Sequence, residues 1–190
     1  MPNKPILLID NYDSFTYNLY HYLEELWEEG VEVVRNDELG SVNFEDFNKV
    51  VISPGPGLPK EAGQLMKALE QIKDTHQILG ICLGLQAIAE LFGYQLQNLG
   101  KVVHGQSTEM KVLEPKTTLF QNLPQTFKVG RYHSWVMQPN SRGELKVTAT
   151  DLDGNVMAIQ HSSLPIHAVQ FHPESVLCEH GKEILKNWMK

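Results

Sequence analysis

The stretch 77-QILGICLGLQAIAELFG-93 places an apolar run, a cysteine between two glycines and a helix-patterned segment end to end. "QILGI" reads as a buried strand, and "LQAIAELFG" reads as a helix closing on Gly93, a residue type suited to a C-terminal cap. The passage from strand to helix spells Gly80, Ile81, Cys82, Leu83, Gly84, the spacing of a nucleophile elbow with sulfur in place of oxygen. Small flanking residues permit the sharp turn. At a helix start, unpaired N–H groups and the helix dipole favour the thiolate, the nucleophilic form of a cysteine, and the same N–H groups can hold an oxyanion. Free cysteine also packs as a small buried hydrophobe, so the elbow alone leaves both readings open.

Outward from this corner, the first half of the chain alternates short apolar runs with helical patterns. "PILLI" is followed by Phe15, Leu19, Leu23 and Leu26 at helical spacing, then by "VEVVR", "KVVIS" and the helix-like "AGQLMKALEQI". Strands alternating with helices predict an α/β fold: a doubly wound, mostly parallel sheet with helices on both faces. Beyond residue 100 the segments "VVHGQSTEMKVL", "TFKVGRYHSWVM", "LKVTATDLDGNVMAIQ" and "IHAVQFHPES" predict additional mixed or antiparallel strands in the C-terminal half, joined to the same sheet. "DLDGN" reads as a hairpin turn, and "EHGKEILKNWMK" as a short amphipathic helix. No repeat, low-complexity tract or linker interrupts the pattern. With 190 residues and 42% hydrophobic content, the chain can build one sizeable core, so residues 1–190 are expected to form a single domain.

Sixteen basic against 23 acidic residues give a net charge of −7 without a Lys/Arg cluster, which argues against nucleic acid as a partner. The N-terminal apolar run is too short for a signal peptide or a membrane span, so the chain reads as cytoplasmic, with no membrane association. A reducing compartment keeps Cys82 and Cys178 as thiols. Cys178, beside charged residues near the last helix, reads as structural. The histidines show no convincing metal spacing, and no metal or cofactor is expected.

In a parallel sheet every strand-to-helix turn lies at the carboxyl edge, where ligands bind. Three unusual turns are therefore expected to meet there: "DNYDSFTYN" after the first strand, "SPGPGLP" (53–59) after the third, and the cysteine corner after the fourth. In "PGPG" the prolines fix φ and the glycines allow a tight path, so Gly57 can supply an oxyanion donor, although the tetrapeptide also suits an ordinary surface loop. A thiolate needs a proton carrier, which works best when a carboxylate orients it. Among eight histidines only His172, in "VQFHPES", ends an apolar strand and is followed two positions later by a carboxylate, Glu174. By itself this pair reads more readily as a solvated histidine beside a capping glutamate.

Taken together, "SPGPGLP", "GICLGLQ", "RYHSW" and "QFHPES" resemble the class I, or triad, glutamine amidotransferases, in order, spacing and chain length. "ILLIDNYDSFTYNL" and "VVHGQST" narrow the resemblance to the small subunits of anthranilate synthase and aminodeoxychorismate synthase. The resemblance implies a nucleophile at Cys82, a base at His172, an orienting acid at Glu174 and an oxyanion hole at Gly57 and Leu83. It implies glutamine binding by Gly55, Gly57, Gln86, Ser134 and Trp135, where Trp135 replaces the usual leucine. It further implies release of ammonia to a separate, chorismate-using synthase subunit, contacted through "DNYDSF" and "HGQS". Those two segments also read as local structure, with Ser14 capping the first helix and Gly105 permitting a turn. One departure is plain: Leu85 stands where the family's elbow carries histidine. Two other readings use the same residues: a cysteine peptidase or related hydrolase, and a catalytically silent regulatory subunit.

Overall fold

β1 (Ile6–Asp10) shows why the central strands read as unbroken apolar runs: Ile6 and Leu8 join one core while Leu7 and Ile9 join another. Both faces of a parallel sheet are covered, so the period-two alternation has no polar side. In the computed structural model, which describes residues 4–100, 104–140 and 143–190, β1 is followed by α1 (Thr16–Leu26), β2 (Val31–Arg35), β3 (Lys49–Ile52), α2 (Leu65–Ile72), β4 (Gln77–Ile81) and α3 (Leu83–Leu91). Then come β5 (Leu96–Asn98), β6 (Gln106–Val112), β7 (Thr126–Arg131), β8 (Trp135–Met137), β9 (Leu145–Asp151), β10 (Val156–His161), β11 (Ile166–Val169) and α4 (Gly181–Met189). Residues 102 and 103 of the "VVHGQST" segment lie outside the described residues.

Nine strands form one sheet in the order β2-β1-β3-β4-β11-β10-β9-β6-β7. The first five are parallel and the last four run antiparallel to their neighbours, as the sequence pattern predicts. α2 and α3 pack with Leu7, Ile9, Val50 and Ile52 on one face; α1 and α4 pack with Ile6, Leu8, Val51 and Ile81 on the other. Each fully buried aliphatic side chain in these layers contributes about 1.5–3 kcal/mol.

Two expectations need refinement. "TFKVGRYHSWVM" is not one strand: β7 ends at Arg131, and β8 leaves the large sheet to pair with β5 in a separate two-stranded sheet. The break frees Tyr132, His133 and Ser134 from the ladder. No side-chain cap closes α1 at Ser14; instead Asp10 accepts the Tyr12 N–H and the Thr16 hydroxyl, and Asp13 accepts the Phe15 N–H.

Candidate active site

The cysteine corner is a strained turn. Cys82 has φ 52° and ψ −98°, a conformation that side chains other than glycine rarely adopt and that costs on the order of 1–3 kcal/mol. Three ties hold it there: its N–H donates to Val169 O at 2.8 Å, its carbonyl accepts the Gln86 N–H at 3.2 Å, and α3 begins at the next residue. The flanking glycines are required by contact. A Cβ on Gly80 would lie 2.6 Å from the Gly84 carbonyl carbon, and one on Gly84 would lie 2.9 Å from Ile52 O. The start of α3 thereby lies directly against β3 and β4, and Leu83, first in the helix, has an N–H without an intrahelical acceptor.

The three predicted turns do meet at this edge. Asn11, after β1, donates its backbone N–H to Ser53 Oγ and its side-chain amide to Ser53 O, after β3 (2.9 Å each), and its side-chain oxygen accepts from the Asn36 amide at 3.0 Å. Gly55 is pressed between this network and α3: a Cβ there would sit 2.6 Å from Asn11 Cβ and 2.7 Å from Leu83 Cδ2. Gly57 has φ 73°, which glycine tolerates freely.

His172 lies on the turn after β11, with Nδ1 2.8 Å from Glu174 Oε1, and both residues are only 2% exposed. Tyr132 and Phe15 enclose the ring at centroid distances of 4.7 and 5.5 Å. Nε2 is buried and has no hydrogen-bond partner, and Cys82 acts electrostatically on the ring. Burial pushes the ring toward neutrality, but Cys82 and Glu174 outweigh it and raise the His172 pKa well above the ordinary histidine value. Burial pushes the Cys178 thiol up to about 12.

One cleft of about 340 Å³ is lined by Cys82 together with Gly55, Gly57, Gln86, Ser134 and Trp135, the positions expected to hold glutamine. Pro56, Asn98, Tyr132 and His133 complete its wall. Gln86 donates its amide to Trp135 O at 3.2 Å. His133 is no free base: Arg131 Nε donates to its Nε2 at 3.1 Å, so Nδ1 carries the proton and donates to Trp135 O at 3.1 Å. Burial and the Arg131 charge lower the His133 pKa to about 3, keeping the ring neutral. Leu85 does not reach the cleft; it is fully buried in the core shared with α2. Among the described residues no three His, Cys, Asp or Glu side chains gather as a metal site.

Several participants escape a reading of the sequence. Asn98 comes from the short β5, which carries too little periodicity to be recognised. Phe15 reads as a helix-face residue, yet its ring serves the edge of His172. Gln170, two positions before His172, places its side-chain nitrogen 3.6 Å from Cys82 Sγ. β11 ends at Val169, so no strand periodicity marks Gln170.

Fold and cleft together define an α/β protein with a strained cysteine at the elbow and a buried histidine–carboxylate pair beside it. The chain belongs to the glutamine amidotransferase class-I family, which it matches over residues 7–190. It is similar to the aminodeoxychorismate/anthranilate synthase component 2 of Bacillus subtilis, 42% identical with 97% of this chain and 95% of that protein covered. The aminodeoxychorismate synthase component 2 of Klebsiella aerogenes is 44% identical, with 97% and 98% covered. Among solved structures, a candidate GMP synthase subunit from Thermoplasma acidophilum superposes with a TM-score of 0.87 at 26% identity, covering 100% of this chain and 94% of that one.

Proposed function

We propose that this chain is the glutaminase subunit of a chorismate-aminating synthase, with residues 1–190 acting as one domain and Cys82, His172 and Glu174 as its triad. The observation that carries the reading is the strained Cys82 elbow facing a histidine held 2.8 Å from a buried carboxylate. Cys82 sulfur attacks the side-chain carboxamide carbon of glutamine, and the N–H groups of Gly57 and Leu83 receive the developing oxyanion. His172 gives its proton to the departing nitrogen, the C–N bond breaks, and ammonia leaves a γ-glutamyl thioester. Water, deprotonated by the same ring, then cleaves the thioester to glutamate and restores the thiol. Glu174 orients the imidazole and supports its charge. Gly55, Gly57, Gln86, Ser134 and Trp135 position the substrate.

The relatives of this chain are named as component 2 of synthases, which supports a partner chain as the consumer of the ammonia. Tyr12, 52% exposed, and Tyr17, 62% exposed, lie in or beside the "DNYDSF" segment, and Val176, 95% exposed, follows the triad acid closely. Exposed apolar side chains of this kind suit a protein interface. Anthranilate synthase is the favoured complex. Aminodeoxychorismate synthesis is the second reading, supported by the 44%-identical relative named for that enzyme and by the B. subtilis protein named for both. No helix among the described residues is long and apolar enough to cross a membrane.

The test combines two measurements: ammonia release from glutamine with and without the partner, and labelling by a glutamine analogue bearing an electrophile at its δ-carbon. Modification of Cys82 with Cys178 spared is the expected outcome. Preferential modification of Cys178, or an absence of glutamine-dependent ammonia in the assembled complex, overturns the reading.

A further inference from the structure

We infer that Gln170 is a further catalytic residue, donating a side-chain N–H to the Cys82 sulfur and supporting its negative charge before attack and again when sulfur leaves the thioester. This rests on the proposed role of Cys82. Gln170 is fully buried, its Nε2 lies 3.6 Å from Sγ, and its Oε1 has no hydrogen-bond partner. Its backbone is fixed by donation of its N–H to Met157 O at 2.9 Å, and the preceding residue, Val169, accepts the N–H of Cys82. Strand end and elbow are thus tied by the backbone, and the two side chains meet across that tie.

Burying an amide with one end unbonded is unfavourable, and an apolar side chain of similar volume avoids the cost. The arrangement makes sense where the N–H does something that leucine or methionine cannot. Its orientation matches the charge: when the proton sits on His172, sulfur carries none to donate, so a donor and not a carbonyl belongs against it. Around the sulfur stand His172, with Glu174 behind it on the turn after β11, neutral His133 across the cleft, and the N-terminus of α3; among the described residues that line the cleft there is no Lys, Arg, Asp or Glu. When His172 hands its proton to the leaving nitrogen, Gln170 remains as a fixed side-chain donor. It stabilises the sulfur again as water expels it from the thioester.

The experiment compares wild type with Gln170→Met, similar in volume but without a donor, and with Gln170→Glu. Three readouts are taken: the pH profile of iodoacetamide alkylation at Cys82, located by peptide mass spectrometry; steady-state glutaminase kinetics with partner; and the γ-glutamyl adduct trapped by acid quench. A hydrogen bond to a charged group sets the scale at about tenfold. Gln170→Met should move the alkylation midpoint upward by about one pH unit, lower kcat about tenfold, and raise the trapped adduct. Gln170→Glu should move the midpoint further in the same direction, and it carries the test where the methionine variant does not fold. A folded variant that alkylates with the wild-type profile, alongside wild-type enzyme that turns over through Cys82, overturns this inference alone. Wild-type enzyme that forms no adduct at Cys82 removes the triad reading and this inference with it.

Discussion

Arg131 Nη1 lies 2.7 Å from Asp151 Oδ2, and both side chains are almost completely removed from water. The pair reaches the cleft through Arg131 Nε, His133 and the Trp135 carbonyl, so the β9–β10 hairpin is mechanically part of the cleft wall. Asp151 also accepts from the Asp153 and Asn155 backbone N–H groups and from the Asn155 side chain, which anchors the hairpin turn.

Removing one partner of this pair leaves a buried charge uncompensated. Asp151→Ala should destabilise the protein by about 3 kcal/mol or more, read as a lowered urea midpoint. In protein that still folds, loosening of the Trp135 wall should raise KM for glutamine more than it lowers kcat. An unchanged urea midpoint removes the proposed weight of the pair.

If sulfur chemistry is confined to this subunit, Cys82→Ser should abolish glutamine-dependent amination by the assembled complex and leave ammonia-dependent amination intact. Steady-state product formation with each nitrogen source measures this. Equal loss with both sources places Cys82 in folding or assembly.

His167 yields a stability prediction. It is 5% exposed, neither ring nitrogen has a hydrogen-bond partner, and burial lowers its pKa to about 4. The unfolded chain therefore binds a proton that the folded chain resists, and the stability is fully present above about pH 6.5 and lost as pH falls toward 4. His133 acts in the same direction and His172 in the opposite one, its raised pKa contributing stability below about pH 6.5 that fades at higher pH. A difference measurement isolates the residue: relative to His167→Leu, wild type should lose on the order of 1–2 kcal/mol between pH 7 and pH 5. Parallel urea-midpoint curves for the two proteins across that range would contradict it.

How far these features can be read from sequence follows from the range of the interactions. The elbow at 80–84, the φ-permissive Gly57 and the alternation of β1 to β4 are local, and each leaves a pattern within a few residues. The central place of β11, parallel to β4, is a long-range pairing that carries Val169 to the Cys82 N–H and His172 to the thiol. Neither propensity nor period encodes that register. The split of β7 from β8 is hidden for the same reason: Trp135 and Val136 are good strand residues, and the partner that draws them away is β5. Leu85 illustrates the limit from the other side, since a motif comparison marks it as a departure at the site, whereas the helix turns it into the core.

The division of labour between His172 and Glu174 can be measured directly. If the histidine moves the proton and the glutamate orients it, His172→Ala should remove nearly all glutaminase turnover, while Glu174→Gln retains a fraction. The amide still hydrogen-bonds Nδ1, which lies 2.8 Å from Oε1 in the wild type, but it can stabilise the wrong tautomer and cannot support an imidazolium as a carboxylate does. The analogous acid-to-amide change in serine proteases costs roughly 10⁴-fold, which sets the scale for the residual rate. Losing the carboxylate also weakens one of the interactions that raise the His172 pKa, so the acidic limb of the Glu174→Gln alkylation profile should shift as well. Both variants are assayed at saturating partner, with complex formation followed by size-exclusion chromatography, because neither change need disturb the docking segments. His133 is bonded at both ring nitrogens and cannot replace the missing base without breaking its contacts to Arg131 and Trp135. Near wild-type turnover by a correctly assembled His172→Ala complex would therefore remove His172 from the mechanism.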